Sequence, residues 1–177
     1  MQLIDGGLAP FRIGSVTVRL RLVGDRDVAA PDAVLVEDDR WLSLSAPVDI
    51  LPDPNPLRTL TRAHDVEPRA LGDVVPDGEL WRCVIIDVDA DTMCAPASVE
   101  QAMANAVLRA RQHGVSCVAT HPLGCDRGNL DVATCLKAIA RALRAAGDGP
   151  ALELQIIVTP AIVADARDAL EAERTAP

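Results

Sequence analysis

The sequence predicts an α/β fold in which a mixed, mainly parallel sheet lies between helices as a three-layer α/β/α sandwich. The first observation is that strand-like and helix-like segments alternate through the second half of the chain, an order typical of parallel sheets covered by helices. The second is the run Cys83–Val88, whose consecutive apolar residues indicate a strand buried on both faces. Cys117–Ala119 shows the same pattern.

Strand patterns open the chain, and a proline-rich segment follows them. Val16–Val23 alternates apolar and polar residues, which predicts a half-buried strand, and Ala33–Val36 predicts a second strand. Trp41–Leu44 is interpreted as a third strand. Residues 46–55 contain three prolines and predict a loop. A short helix is predicted over about 56–64, because its leading proline suits a first helical position.

Capping signals mark the best-defined helix. Ser98 and Gln101 have the spacing of a capping box, and Gly114 supplies the stop after His113. Because His113 falls in the last turn, where a cation suits the helix dipole, it is interpreted as structural. The later predicted elements, in chain order, are the strand Cys117–Ala119, a helix from about Asp131 to Ala146, a strand Leu152–Val158 and a helix from Thr159-Pro160 to about Arg174.

Length and charge limit the organisation and the partners of the chain. Its 177 residues predict one domain over residues 16–177, preceded by an extension over 1–15 for which an extra edge strand is one interpretation. The 17 Lys and Arg against 26 Asp and Glu give a net charge of −9, which argues against direct binding to a nucleic-acid backbone. Aromatic residues make up 2% of the chain, too few for a base-stacking platform.

The expected location is the cytoplasm, without a membrane partner. No apolar run approaches the roughly 20 residues that cross a bilayer, and the first residues lack the features of a secretion signal. Five cysteines without a CxxC pair indicate free thiols. No metal or cofactor is expected, since no P-loop or zinc-spaced cluster is present. The alternating Asp87, Asp89 and Asp91 are interpreted as a solvated acidic turn, in preference to a divalent-cation site.

Three strand-end loops hold the candidate binding residues, because ligands of open α/β sheets sit at the carboxyl ends of the strands. The loops are Gly24–Asp25, Glu37–Asn55 and His121–Asn129. In the last of them, two glycines and a following helix start would present backbone N–H groups to a phosphate, and Arg127 could add a bidentate contact. A plain strand-to-helix turn is the alternative interpretation.

The order of these segments resembles the macro domains. Val18–Asp25 followed by Asp32–Val36 is similar to their opening strand, Gly-Asp pair and second strand. Leu71–Asp87 is similar to their middle strands. Ala119–Asp131 resembles their late loop, closest to the branch with a Leu-Gly-Cys-Gly-x-Gly-Gly-Leu-Asp pattern, which includes ADP-ribosyl glycohydrolases. The resemblance implies binding of ADP-ribose at the strand ends.

The same resemblance assigns ligand-binding residues one by one. Asp25 stands where the family's acid receives the adenine amino group. The phosphate-binding late loop corresponds to Gly124, Cys125, Asp126, Arg127 and Gly128. Asp126 replaces a family glycine and adds negative charge where the diphosphate lies, which Arg127 would offset.

The first loop departs from the family pattern. Asp38 or Asp39 stands in the place of an asparagine, and Ser45–Pro47 replaces a glycine run although proline has no N–H to donate. The nucleophilic lysine of the acyl-glutamate-hydrolysing branch has no counterpart, because Lys137 falls inside a predicted helix. The other catalytic acid of that branch would fall near Gly128, which has no carboxylate.

Asp39 and His121 are the candidate catalytic residues for removal of ADP-ribosyl groups. Asp39, or alternatively Asp38 or Asp49, could position water as a general base. His121 is a candidate acid or base, because histidine exchanges protons near neutral pH; a hydrogen-bonding turn residue is the alternative. Cys125 lies near a helix start, where thiols become reactive, although the family has a cysteine there without such a role.

Functions of two classes follow. The first is a module that binds ADP-ribose or an ADP-ribosylated macromolecule, with ADP-ribosyl glycohydrolase as the enzyme class if it has an activity. The alternative is a degenerate macro fold that binds no nucleotide and serves as a protein-interaction or scaffold domain. Asp25 and the late loop favour the first, and the missing first-loop glycines favour the second. Binding of another nucleotide or a nucleic-acid end is a third interpretation, which the net charge disfavours.

Overall fold

The computed structural model describes residues 9–25, 29–44 and 67–175. These residues form seven strands: β1 (Phe11–Ile13), β2 (Val16–Leu22), β3 (Ala33–Asp39), β4 (Val74–Asp77), β5 (Leu80–Ile86), β6 (Cys117–Thr120) and β7 (Leu152–Val158). The three helices within these ranges are α1 (Pro96–His113), α2 (Val132–Ala145) and α3 (Val163–Thr175). None of them is both long and apolar enough to traverse a bilayer.

The sheet is mixed and mainly parallel, as predicted. Its strand order is β1-β2-β7-β6-β3-β5-β4, and the five inner strands are parallel to one another. The two outermost strands pair antiparallel with their neighbours: β1 with β2, and β4 with β5. The carboxyl ends of all five inner strands therefore meet at one edge of the sheet, where the strand-end loops gather.

Burial on both faces explains the continuous apolar runs. Four consecutive residues of β5, Cys83–Ile86, are each 1% exposed or less, and such a strand must be covered from both sides. The described helices pack side by side, with α2 between α1 and α3. Their apolar faces complete a core with the sheet, and α2 contributes Leu136, Ile139 and Leu143 to it.

Trp41–Leu44 does not form the strand that its sequence predicts. It forms a turn, while β3 continues to Asp39, three residues beyond the predicted end. The Asp39 carboxylate accepts hydrogen bonds from the Trp41 and Ser43 N–H groups, at 2.7 and 3.1 Å. These two N–H groups therefore do not pair with a neighbouring strand. The predicted helix over 56–64 lies outside the described residues.

The start of α1 also differs from the prediction. Its N-cap is Ala95, which makes no side-chain cap, and Pro96 occupies the first turn. Ser98 is buried inside the helix, so the predicted capping box is wrong. The predicted stop is confirmed: Gly114 has a left-handed φ of 68° and its N–H bonds back to the carbonyls of the last turn.

The other helix boundaries follow local chemistry. Asp131 caps α2, since its carboxylate accepts from the Thr134 N–H at 2.8 Å. α3 begins later than predicted, because the residues from Pro160 to Ile162 form turns before the helix starts at Val163. Two further strands form the edges of the sheet. β4 pairs with β5, and β1, which falls within residues 1–15, buries Phe11 and Ile13 in the core.

Asp32 joins the starts of two parallel strands. Its Oδ2 accepts hydrogen bonds from the Ser116 N–H at 2.8 Å, the Ser116 hydroxyl at 2.9 Å and the Cys117 N–H at 2.9 Å. These donors lower the pKa of the Asp32 carboxyl, with the Ser116 N–H acting most strongly. The carboxylate therefore fixes the entry of β3 beside the entry of β6.

We expect Asp32→Ala to lower the melting temperature at pH 7, and the deficit to shrink as the pH falls below about 4. The stabilisation from a carboxyl whose pKa is depressed on folding is present above its unfolded-state pKa and is lost on acidification. Thermal melts of both proteins between pH 7 and pH 3 provide the measurement. Asp91→Ala, at an exposed position, is the control, and a pH-independent deficit would contradict the assignment.

Candidate functional site

A cavity of about 210 Å³ opens at the carboxyl edge of the sheet, where β3 and β6 end side by side. Because these strands are parallel neighbours, the residues that follow each of them face the same space. The cavity is lined by Leu35, Val36, Glu37, His121, Pro122, Leu123, Asp126 and Arg127. Its floor is apolar, and its mouth carries charged side chains from β3 and from the loop 121–131.

The loop 121–131 (the late loop) packs tightly against Cys94. Gly124 has a φ of 85°, and a Cβ at this position would lie 2.8 Å from the Cys94 Sγ. A Cβ on Gly128 would lie 2.4 Å from the Cys94 Cβ. The Leu130 N–H closes the loop by donating to the Gly124 carbonyl at 3.0 Å. Both glycines are therefore required by packing within the protein, whatever the loop binds.

Glu37 is the principal residue that sequence reasoning missed. Its Oε2 accepts a hydrogen bond from the Gly124 N–H at 3.1 Å. Burial raises the pKa of the Glu37 carboxyl, as does the charge of Asp126, while the Gly124 N–H and the charge and backbone of Arg127 oppose the rise. The alternation of β3 is a sequence signal for its position. Ala33 and Leu35 are buried, and Glu37, two residues further on, lies on the same face of the strand.

Asp39 and Asp38 are buried carboxylates that hold the turn after β3. Besides the two N–H groups already described, Asp39 accepts a short hydrogen bond from the Ser43 hydroxyl. Asp38 Oδ1 accepts from the Asp39 N–H at 2.8 Å and from the Leu44 N–H at 2.9 Å. Both are 1% exposed or less, and neither lines the cavity.

The structure brings together only part of the predicted site. His121, Asp126 and Arg127 are exposed at the cavity, and the Arg127 Nη1 donates to the Leu44 carbonyl at 2.6 Å. Asp25 is exposed after β2. Because β7 separates β2 from β6, Asp25 lies roughly 10 Å to one side, at two interstrand spacings.

Three cysteines lie beneath and within the late loop. Cys125 is half-buried, and a hydrogen bond with Cys135 lowers the pKa of its thiol. Burial raises the pKa of the Cys94 thiol to about 12, and the charge of Glu37 adds to this. All five cysteines are free. Across the described ranges, no group of three His, Cys, Asp or Glu side chains has an arrangement that could hold a metal ion.

The fold has clear counterparts among solved structures. The Oceanobacillus iheyensis macrodomain with ADP superposes with a TM-score of 0.64 at 11% identity, covering 93% of this chain and 95% of that one. The chain has the macrodomain fold. The same macrodomain with MES bound gives a TM-score of 0.65 at 11% identity and covers 93% and 95%. The Trypanosoma brucei macrodomain in complex with ADP gives 0.56 at 12% identity and covers 86% and 68%.

These likenesses confirm the predicted macrodomain fold and its α/β class. No family model and no curated protein matches the sequence, in keeping with identities of only 11 to 12% to these solved macrodomains.

Proposed function

We propose that this macrodomain-fold chain binds ADP-ribose or a related nucleotide at the carboxyl edge of its sheet. The observation that carries the proposal is the Gly124 N–H, which already holds a carboxylate oxygen at 3.1 Å beside the cavity. An amide that binds one anion is suited to a phosphate oxygen. Macrodomain structures with ADP share this fold.

The proposed ligand roles are distributed along the edge of the sheet. Asp25, exposed after β2, is assigned to the adenine amino group. The phosphates are assigned to the late loop, through the residues Gly124, Cys125, Asp126, Arg127 and Gly128. The separation of roughly 10 Å between the two regions, two interstrand spacings, is comparable to the span from an adenine ring to a diphosphate.

The chain would act as an ADP-ribosyl glycohydrolase if it removes ADP-ribosyl groups from an ADP-ribosylated macromolecule. In that case we assign the catalytic role to His121 and not to Asp39. His121 lines the cavity and its side chain is exposed there. Asp39 becomes a positioning residue, because its carboxylate oxygens are bound to Trp41 and Ser43. Turnover of ADP-ribosylated protein or DNA by the wild type and by His121→Ala tests this assignment.

We favour ligand binding over the alternative of a degenerate interaction or scaffold module. The cavity between β3 and β6 is open, and its mouth retains Arg127 and the Gly124 amide.

Calorimetric titration with ADP-ribose tests the proposal. We expect the wild type to bind, and Asp25→Ala to bind about 10-fold more weakly, since one charged hydrogen bond contributes roughly that factor. Asp91→Ala, which removes an exposed carboxylate after β5, is the matched control and should bind as the wild type does. Absence of heat and of any thermal shift with ADP-ribose, AMP and NAD would refute the proposed function.

A further inference from the structure

We propose that the Glu37 carboxylate is an internal anion that occupies the phosphate position of the late loop and thereby determines which ligands the site accepts. This inference rests on the proposed function and specifies how its site is regulated. It assigns a specificity role to a residue that belongs to β3 and not to the loop itself.

The first support is the hydrogen bonding of this carboxylate. Glu37 Oε2 accepts from the Gly124 N–H at 3.1 Å, and the Arg127 backbone also interacts with the carboxylate. Successive backbone N–H groups of a loop are a common binding site for phosphate oxygens. A carboxylate oxygen has the same charge sign and the same acceptor geometry, so it fills the place that a phosphate oxygen would take.

The second support is the charge around the cavity mouth. Among the residues that the structure describes, the cavity is lined by two carboxylates, Glu37 and Asp126, and one guanidinium, that of Arg127, which also donates to the Leu44 carbonyl. A diphosphate entering beside Glu37 would meet like charges in a partly buried site, where repulsion is weakly screened. Its phosphate must displace Glu37 from the Gly124 amide before it can bind there.

It follows that the diphosphate contributes little to the affinity of the wild type for ADP-ribose. The nucleoside part of the ligand would supply most of the binding free energy while Glu37 remains on the amide. Removal of the Glu37 charge should convert the late loop into an ordinary phosphate site. The ligand preference of the fold would thus be set by one side chain that the loop sequence does not contain.

The test compares the wild type with Glu37→Gln, titrated with inorganic pyrophosphate and separately with ADP-ribose. Glutamine keeps the size and an acceptor oxygen of glutamate but removes the charge. We expect pyrophosphate and ADP-ribose each to bind at least about 10-fold more tightly to Glu37→Gln, the effect of removing one close like charge. Glu79→Gln, at an exposed carboxylate before β5, should leave both affinities unchanged.

A second variant reports on the hydrogen bond itself. In Glu37→Ala, the Gly124 amide proton resonance should move upfield, and it should return downfield on addition of pyrophosphate. Thermal melts of Glu37→Gln establish that its fold is retained. An unchanged Gly124 resonance in Glu37→Ala would overturn the inference.

The outcomes separate this inference from the proposed function. Equal pyrophosphate affinity in the wild type and Glu37→Gln would overturn the role of Glu37 while leaving ADP-ribose binding intact. A gain in pyrophosphate affinity without ADP-ribose binding by either protein would support the role of Glu37 and refute the proposed function. Absence of pyrophosphate binding to both proteins would also overturn the role of Glu37.

Discussion

Asp39→Ala is expected to lower the free energy of unfolding by about 3 kcal/mol. The substitution removes a buried acceptor and leaves the Trp41 and Ser43 N–H groups and the Ser43 hydroxyl without their partner. Each unpaired polar group costs about 1–3 kcal/mol when it stays buried, and the turn after β3 can relax only in part. Urea denaturation measures the loss. Asp91→Ala, at an exposed site, should change stability by less than about 0.5 kcal/mol.

Asp39→Asn separates a positioning role from a catalytic one. Asparagine keeps one oxygen that can accept from the Trp41 and Ser43 N–H groups, so this variant should retain most of the stability that alanine loses. If Asp39 acted as a general base, Asp39→Asn would abolish turnover while remaining stable. A urea midpoint for Asp39→Ala equal to that of the wild type would contradict the positioning role.

Gly124→Ala is expected to destabilise the protein by about 3 kcal/mol, because it combines two costs. Its φ of 85° is unfavourable for an L-residue, and the new Cβ would approach the Cys94 Sγ within 2.8 Å and the Leu130 side chain within 2.9 Å. The late loop would have to shift, and with it the Gly124 amide that meets Glu37. Thermal and urea unfolding measure the loss, and ligand titration measures the effect on the site.

Gly78→Ala is the matched control for that substitution. Gly78 also has a positive φ, 61°, but a Cβ there would have no heavy atom within 4 Å. It should therefore carry only the backbone cost, about 1 kcal/mol. Equal losses in the two variants would show that the contact with Cys94 does not constrain the late loop.

Local patterns were sufficient where one element decides its own structure. Leu152–Val158 was predicted with its observed bounds, because alternation and β-branched residues act within the strand itself. Gly114 ends α1 for a similarly local reason, its left-handed φ. The late loop was also located from its glycines and the helix start that follows it.

Such patterns do not show which partners a side chain has in the folded protein, whether those partners are near or far along the chain. Ser98 has a capping-box spacing, but the helix starts at Pro96, before it. Strand alternation indicates the face on which Glu37 lies, but its role depends on Gly124, which is 87 residues further along the chain. The loop position and charge of Asp39 suggest a general base, whereas its partners in the structure are the N–H groups of the turn after β3.

The position of β7 has a consequence for the order in which the protein assembles. β7 is the last strand in the chain, yet it lies between β2 and β6 and pairs with β2 from Val16 opposite Leu152 to Leu22 opposite Val158. During synthesis, the edge of β2 that later pairs with β7 stays unpaired until residue 158 has left the ribosome. Contacts so far apart in sequence slow folding. From the synthesis of β2 until that of β7, the nascent chain therefore carries an open strand edge that can template aggregation.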